Sequence, residues 1–278
     1  MPNNTSLSRN RTLFHGSVSG TPLAGLEAST GTVSRALSLL STLADAGGPV
    51  SVKEVADKMG LPPSTAHRLL QLMRVEGFVA ALPGSRQYIV GNELYRVSAR
   101  IVSATKTPEL AHQFIQTIAS RFDETVLFGL YLPAQHALCF AARADGRQML
   151  KYQIDLHQPL SLVWGASGKA ILAFLPDKTV AEILAKEGPS PAEGRPAPAL
   201  DELRQTLLVI RSRGYAVSES EKLPGARGIA APVFGPDEVI GCICLTSPKA
   251  RMPHGSIEEI GRAITAQARE LSLALGAP

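Results

Sequence analysis

The sequence predicts an α+β chain in two parts, a small helical unit closed by a β-hairpin and a larger unit built on a mostly antiparallel sheet. Three observations predict it. Residues 32–74 carry three apolar stripes at helical spacing, broken by Gly and Pro. Residues 78–91 then alternate around Pro83-Gly84-Ser85. From residue 125 onward the apolar period switches between 2 and 3.6, giving strands, helices, strands and a closing helix. The 278 residues suffice for two domains, and 45% hydrophobic with 19% charged residues is the balance of a soluble globular protein.

Met1 to Ser29 is polar, rich in Gly, Ser and Asn, and aperiodic, so a disordered tail is expected. Arg9 and Arg11 precede no apolar run, which argues against a signal peptide. Thr32 to Ala46 is predicted as a helix with Val33, Ala36, Leu37, Leu40 and Ala44 buried, ended by Gly47-Gly48-Pro49. In Ser51 to Arg74, Val52, Val55, Ala56 and Met59 share one helical face, and Ser51 with Glu54 is spaced as a capping box. Gly60 can stop that helix in a left-handed conformation. Pro62 and Pro63 fit only the first turn of the next, which buries Ala66, Leu69, Leu70 and Met73.

The opposite face of that second helix holds Ser64, His67, Arg68 and Gln71, with Thr65 beside them. Short hydrogen-bonding side chains with one permanent cation match what a major groove offers, base edges and phosphates. An ordinary solvated face would satisfy the same spacing. The hairpin that follows at once, Phe78 to Gly91, decides for a winged helix, with Arg86 on the wing placed to touch phosphate or a minor groove. Arg35 lies off the first stripe and could reach phosphate or water. Ser51, at the entry of the pair, joins the expected DNA-facing set. Between residues 29 and 106 nine Lys/Arg stand against five Asp/Glu, whereas from 107 onward 17 stand against 18. The basic excess lies on the segment read as nucleic-acid binding.

Asn92 to Lys106 is predicted as a helix joining the halves, a linker and dimer element. The expected division is thus 1–29 tail, 30–91 winged helix, 92–106 linker and 107–276 second domain. In that domain Glu109 to Phe122 is helical, with Leu110, Phe114, Ile115 and Ile118 buried. Thr125 to Leu132, Ala137 to Arg143 and Met149 to Ile154 read as strands, and Ser167 to Leu175, Lys178 to Lys186 and Leu200 to Arg213 as helices around a Pro/Gly-rich loop, Gly188 to Pro198. Strands return at Tyr215 to Ser218, Gly228 to Phe234 and Val239 to Thr246. Ser256 to Leu275 closes the chain with Ile257, Ile260, Ile264, Ala268, Leu271 and Leu275 as its stripe. No apolar run nears the roughly 18 residues that would span a membrane.

The chemistry offered is that of binding. Three cysteines do not make a disulfide framework, which suggests a reducing cytoplasm; Cys242 and Cys244 are assigned to opposite faces of their strand. Six scattered histidines share no metal-ligand spacing. Trp164 to Ala170, WGASGKA, fails as a phosphate loop, because two residues rather than four separate its glycines and Ala170 follows Lys169. It fails as a nucleophile elbow at Lys169. It can be a turn opening a helix, with amides from Ala166 to Lys169 free to hold a carboxylate; a plain helix cap fits as well. Glu219, Glu221 and Lys222 lack a partnered nucleophile and read as a solvated charge cluster. No catalytic residue, metal or cofactor is expected. The competing reading is a small-molecule enzyme or sensor whose winged helix serves protein contacts.

Residues 60–70 (GLPPSTAHRLL), Tyr88 to Gly91, residues 166–170 (ASGKA), Gly214-Tyr215-Ala216, Glu221, Gly225 and Ile229 to Pro232 follow one another in the order of a known pattern. The chain resembles the IclR family of bacterial transcription regulators over about residues 30 to 275. The resemblance implies a winged helix-turn-helix, a linker helix and a GAF-like domain that binds a small organic acid, assembled as homodimers that pair on operator DNA. It implies a backbone anion cradle at Ala166 and Ser167. An acidic position falls on Ser218 and a cysteine position on Gly228, both departures. Two polar positions fall on Cys244 and Thr246, and apolar lining positions match Tyr152 and Leu160, to which Phe128, Leu130 and Trp164 are added. Losing an acid and a cysteine makes a roomier, less polar pocket, so a larger or aromatic carboxylate is expected.

Overall fold

A computed structural model describes residues 31–104 and 107–278. The expected tail lies outside the described residues, as does the end of the linker at 105–106. The chain divides into two compact units between Tyr95 and Arg96.

The first unit has three helices, α1 (Thr32–Ala46), α2 (Val52–Met59) and α3 (Pro63–Val75), and three short antiparallel strands, β1 (Val50–Ser51), β2 (Val79–Ala81) and β3 (Gln87–Val90), in the order β1-β3-β2. Their core is Leu39, Leu43, Val50, Val55, Ala56, Ala66, Leu69, Leu70, Val79 and Tyr88. Ser51 caps α2: Ser51 N–H donates to Glu54 Oε2 at 2.7 Å and Glu54 N–H to Ser51 Oγ at 3.2 Å. Gly60 ends α2 at φ +62°, and Pro63 opens α3. The stripe expected on α1 is corrected. Leu39 and Leu43 are its buried residues, whereas Val33 is 74% and Leu37 61% exposed. The helix is apolar on two sides, and only one faces this core.

α4 (Asn92–Ala104) runs across the division. The second unit then sets α5 (Thr107–Phe122) before β4 (Thr125–Leu132) and β5 (Ala137–Ala144). α6 (Gly165–Leu172), α7 (Asp177–Leu184) and α8 (Leu200–Arg213) follow, then β6 (Ala216–Glu219), β7 (Ala226–Phe234), β8 (Val239–Pro248) and α9 (Ile257–Ala274). The five strands pair antiparallel in the order β5-β4-β8-β7-β6. Side-chain alternation makes two cores. Val126, Phe128, Ile229, Ala231, Ile243 and Leu245 face α5 and α9, while Leu127, Leu138, Phe140, Ala230, Cys242 and Cys244 face α6, α7 and α8.

Two expectations fail here. Met149 to Ile154 forms no strand; Met149 is 98% exposed, and the chain pairs with the β5 backbone further on, where His157 N–H donates to Phe140 O at 2.8 Å and an isolated bridge joins Leu160 to Leu138. Cys242 and Cys244 share a face because they stand two residues apart, one full pleat repeat. The three cysteines are free and buried. No helix among the described residues is long and apolar enough to cross a membrane.

Candidate functional site

On α3, Ser64, His67 and Arg68 are exposed and Thr65 is half-buried, on the side away from Ala66, Leu69 and Leu70. Arg86 is exposed in the β2–β3 turn, which Gly84 closes at φ +75°. Arg35 is half-buried on α1. Among the described residues none of these three arginines makes an ion pair, so each is a cation without a protein counter-ion. Two members of the expected set are committed elsewhere. The Ser51 hydroxyl is used within the capping box, also donating to Glu54 Oε2 at 2.8 Å. The Gln71 amide nitrogen donates to Tyr88 Oη at 2.8 Å and lies 3.2 Å from His67 Nε2. Tyr88 belongs to β3 and is buried, so Gln71 ties the exposed helix to the wing instead of facing outward.

In the second unit a cavity of about 380 Å³ lies on the α6 side of the sheet. That is within the range of small-molecule sites, roughly 300–1,000 Å³. Its floor is Phe140, Gly228, Cys244 and Thr246; its walls come from the α6 N-terminus, the 153–161 segment and the 218–226 loop. Two glycines seat α6 there. Gly165 opens the helix at φ +82°, and a Cβ on Gly168 would meet the Leu162 backbone at 2.4 Å.

Of the sequence-derived residues, Leu160, Ala166, Ser167, Ser218, Gly228, Cys244 and Thr246 meet in this cavity. Four do not. Phe128 and Leu130 pack on the α5/α9 face, since Leu127 is the β4 residue paired with Cys244 and its neighbours alternate away. Trp164 is core, its indole N–H donating to Gly188 O at 3.1 Å. Tyr152 lies outside the lining, its hydroxyl donating to Pro224 O at 2.8 Å.

The expected free cradle is corrected at Ala166, whose amide is already engaged. Gly165 N–H donates to Glu221 Oε2 at 2.7 Å and Ala166 N–H to Ser218 Oγ at 2.8 Å. Glu221 Oε1 pairs with Lys169 Nζ at 2.6 Å, both side chains nearly buried. Glu221 and Lys222 therefore belong to the cavity wall, not to a solvated cluster, while Glu219 pairs with Arg227 and Lys249. The missed signal was position: both residues follow Ser218 within one loop. Lys222 Nζ donates to Ser161 O at 2.8 Å. Burial of its ammonium lowers the Lys222 pKa to about 8. Burial raises the Cys244 thiol to about 11 and pushes that of Cys242 well above its usual value, so both stay neutral and unreactive at pH 7.

A three-helix unit presenting an unpaired polar helix beside a wing, followed by a sheet domain that encloses a ligand-sized cavity, is the build of a ligand-responsive DNA-binding regulator. The comparisons with known proteins agree with it. Residues 32–83 match the IclR helix-turn-helix domain and residues 99–273 the C-terminal domain of bacterial IclR transcriptional regulators, and the chain belongs to that family. It is 26% identical over 245 residues to the transcriptional repressor IclR of Escherichia coli, covering 88% of this chain and 89% of the relative. It is 25% identical over the same length to the acetate operon repressor of Salmonella typhimurium, with the same coverage. Among solved structures, a putative IclR regulator from a Silicibacter species superposes with a TM-score of 0.81 at 24% identity, covering 89% of this chain and 97% of that one. An IclR homolog from Microbacterium hydrocarbonoxydans, complexed with 4-hydroxybenzoate, does so with 0.71 at 20% identity, covering 88% and 100%. The curated relatives are regulators of transcription, not enzymes.

Proposed function

We propose that this regulator senses a small organic acid, one larger than two carbons and partly apolar or aromatic, and controls a catabolic operon in the cytoplasm. The observation that carries the reading is the cavity. Its volume of about 380 Å³ exceeds what a two-carbon acid needs, and Phe140, Ile154, Leu160 and Leu223 give it apolar walls. Gly228 enlarges it: a Cβ there would stand 3.3 Å from Ser218 Oγ and 3.4 Å from the Ala166 Cβ, so a longer side chain would fill the space. The 4-hydroxybenzoate held by the Microbacterium homolog is an acid of this kind.

On the DNA side, α3 enters the major groove with Ser64, Thr65, His67 and Arg68, while Arg86 and Arg35 hold backbone. Homodimers, pairing as dimers of dimers, place two such helices on a palindromic operator. The acid acts to the extent that it binds one arrangement of those helices more tightly than another. Calorimetric titration of carboxylates from acetate and glyoxylate to benzoates tests the ligand class. Micromolar binding of an aromatic or longer acid is expected; tightest binding by a two-carbon acid refutes it.

A further inference from the structure

We propose that Lys222 is the group that pairs with the effector's carboxylate and makes the cavity select anions over neutral molecules of the same shape. This rests on the cavity being the effector site.

Among the described residues Lys222 is the sole cation lining the cavity. Two amide donors at the α6 N-terminus that would compete with it are already engaged. Gly165 N–H is taken by Glu221 and Ala166 N–H by Ser218 Oγ. Both oxygens of Glu221 are occupied in turn, by Gly165 N–H and Lys169 Nζ, so its charge is matched without Lys222. The other carboxylate on the lining, Asp155, is exposed at the mouth.

Lys222 itself is held but not neutralised. Its stem lies against α6, where a Cβ on Gly165 would stand 3.1 Å from Lys222 Cδ. Its ammonium gives one hydrogen to Ser161 O and has two more to give. It makes no ion pair among the described residues. The groups around it are Glu221 on its own loop, Glu187 beyond α7, and the neutral thiols of Cys242 and Cys244 on β8. Glu187 accepts from Ser161 Oγ. The lowered pKa of the ammonium is the mark of a desolvated charge lacking a contact counter-ion. A carboxylate entering the cavity supplies one. Ser218, whose oxygen already accepts from Ala166, keeps its O–H free to donate a second bond to the same acid.

The test is a thermodynamic cycle on the full chain. Benzoate, 4-hydroxybenzoate, phenylacetate and straight-chain acids of two to eight carbons are titrated by calorimetry, each beside its primary amide, into wild type, Lys222→Met and Lys222→Gln. Wild type is expected to prefer the acid over the amide by about 10- to 100-fold, the worth of one charge-assisted hydrogen bond. Both variants are expected to lose most of that preference while still binding the amide as wild type does. Two substitutions guard against one that disturbs folding, which a melting curve reports. Acid binding to wild type with an unchanged acid-to-amide ratio in both variants overturns the role of Lys222 and leaves the effector reading standing. No binding of any acid to wild type overturns both.

Discussion

Glu221→Gln gives the sharpest test of how the cavity wall is held. Glu221 bridges Lys169 Nζ at 2.6 Å and Gly165 N–H at 2.7 Å, with side chains only 13% and 12% exposed for Glu221 and Lys169. Glutamine keeps one oxygen, which can serve the amide or the ammonium but not both. The variant then leaves Lys169 charged and nearly buried beside an uncharged group. Removing one partner of a buried pair costs about 3–5 kcal/mol, and the residual exposure here brings the expectation to about 2–3 kcal/mol. With an m-value of about 2 kcal/mol/M, the urea midpoint falls by about 1 M. The chain has a single tryptophan, Trp164, in the core of this unit and next to Gly165, so its fluorescence reports this unit specifically. Adding Lys169→Met should recover most of the loss, leaving about 1 kcal/mol for the weakened helix cap. A Glu221→Gln midpoint equal to wild type, or a double variant worse than the sum of the singles, refutes the pairing.

Ser51→Ala removes the capping box of α2 and should cost about 1 kcal/mol, read as earlier loss of protection in amide exchange across residues 50–60 while the second unit is unchanged. Gly228→Val drives a branched side chain into space already within 3.4 Å of Ser218 and Ala166, so acid binding should vanish with operator binding intact. Arg68→Ala should weaken operator binding by about 1–3 kcal/mol with relaxed sequence preference if it meets a base, or lower the salt slope by about one if it meets phosphate. The pH dependence follows from Lys222, whose folded pKa of about 8 lies below its ordinary 10.5. The folded state holds fewer protons than the unfolded state between those values, so this lysine costs stability below pH 8 and the cost fades as pH rises toward 10.5. Lys222→Met should therefore be more stable than wild type at pH 7, with the gap closing above pH 8; a constant gap contradicts the burial of a charge.

The winged unit was legible in the sequence because its signals are local. The Ser51/Glu54 spacing, Gly60 and Pro63 act within one turn, and they fall where the capping box and the helix ends form. Burial on α1 was not legible, since Val33, Leu37, Leu39 and Leu43 are all apolar and nothing local says which pair meets the core. The cavity was half legible. Ser218, Gly228, Cys244 and Thr246 are close because β6, β7 and β8 pair in register, Ser218 with Gly228 and Gly228 with Thr246. Phe128 went to the wrong face because a strand's pleat can be counted from sequence, but its phase against a partner 115 residues away cannot: Phe128 pairs with Ile243. Glu221 satisfying the Gly165 amide at the start of α6 was hidden for the same reason, since that contact joins residues 56 apart and Glu221 lies in a loop with no period.

The central claim is that a carboxylate in the cavity changes how tightly α3 holds DNA. It is tested most directly by fluorescence anisotropy on the chain's own upstream DNA, at fixed salt, with and without a saturating acid chosen by calorimetry. A shift of about 5- to 150-fold in operator affinity is expected for wild type, the usual span of 1–3 kcal/mol couplings, and none for Gly228→Val. Equal wild-type affinity with and without the bound acid would contradict it.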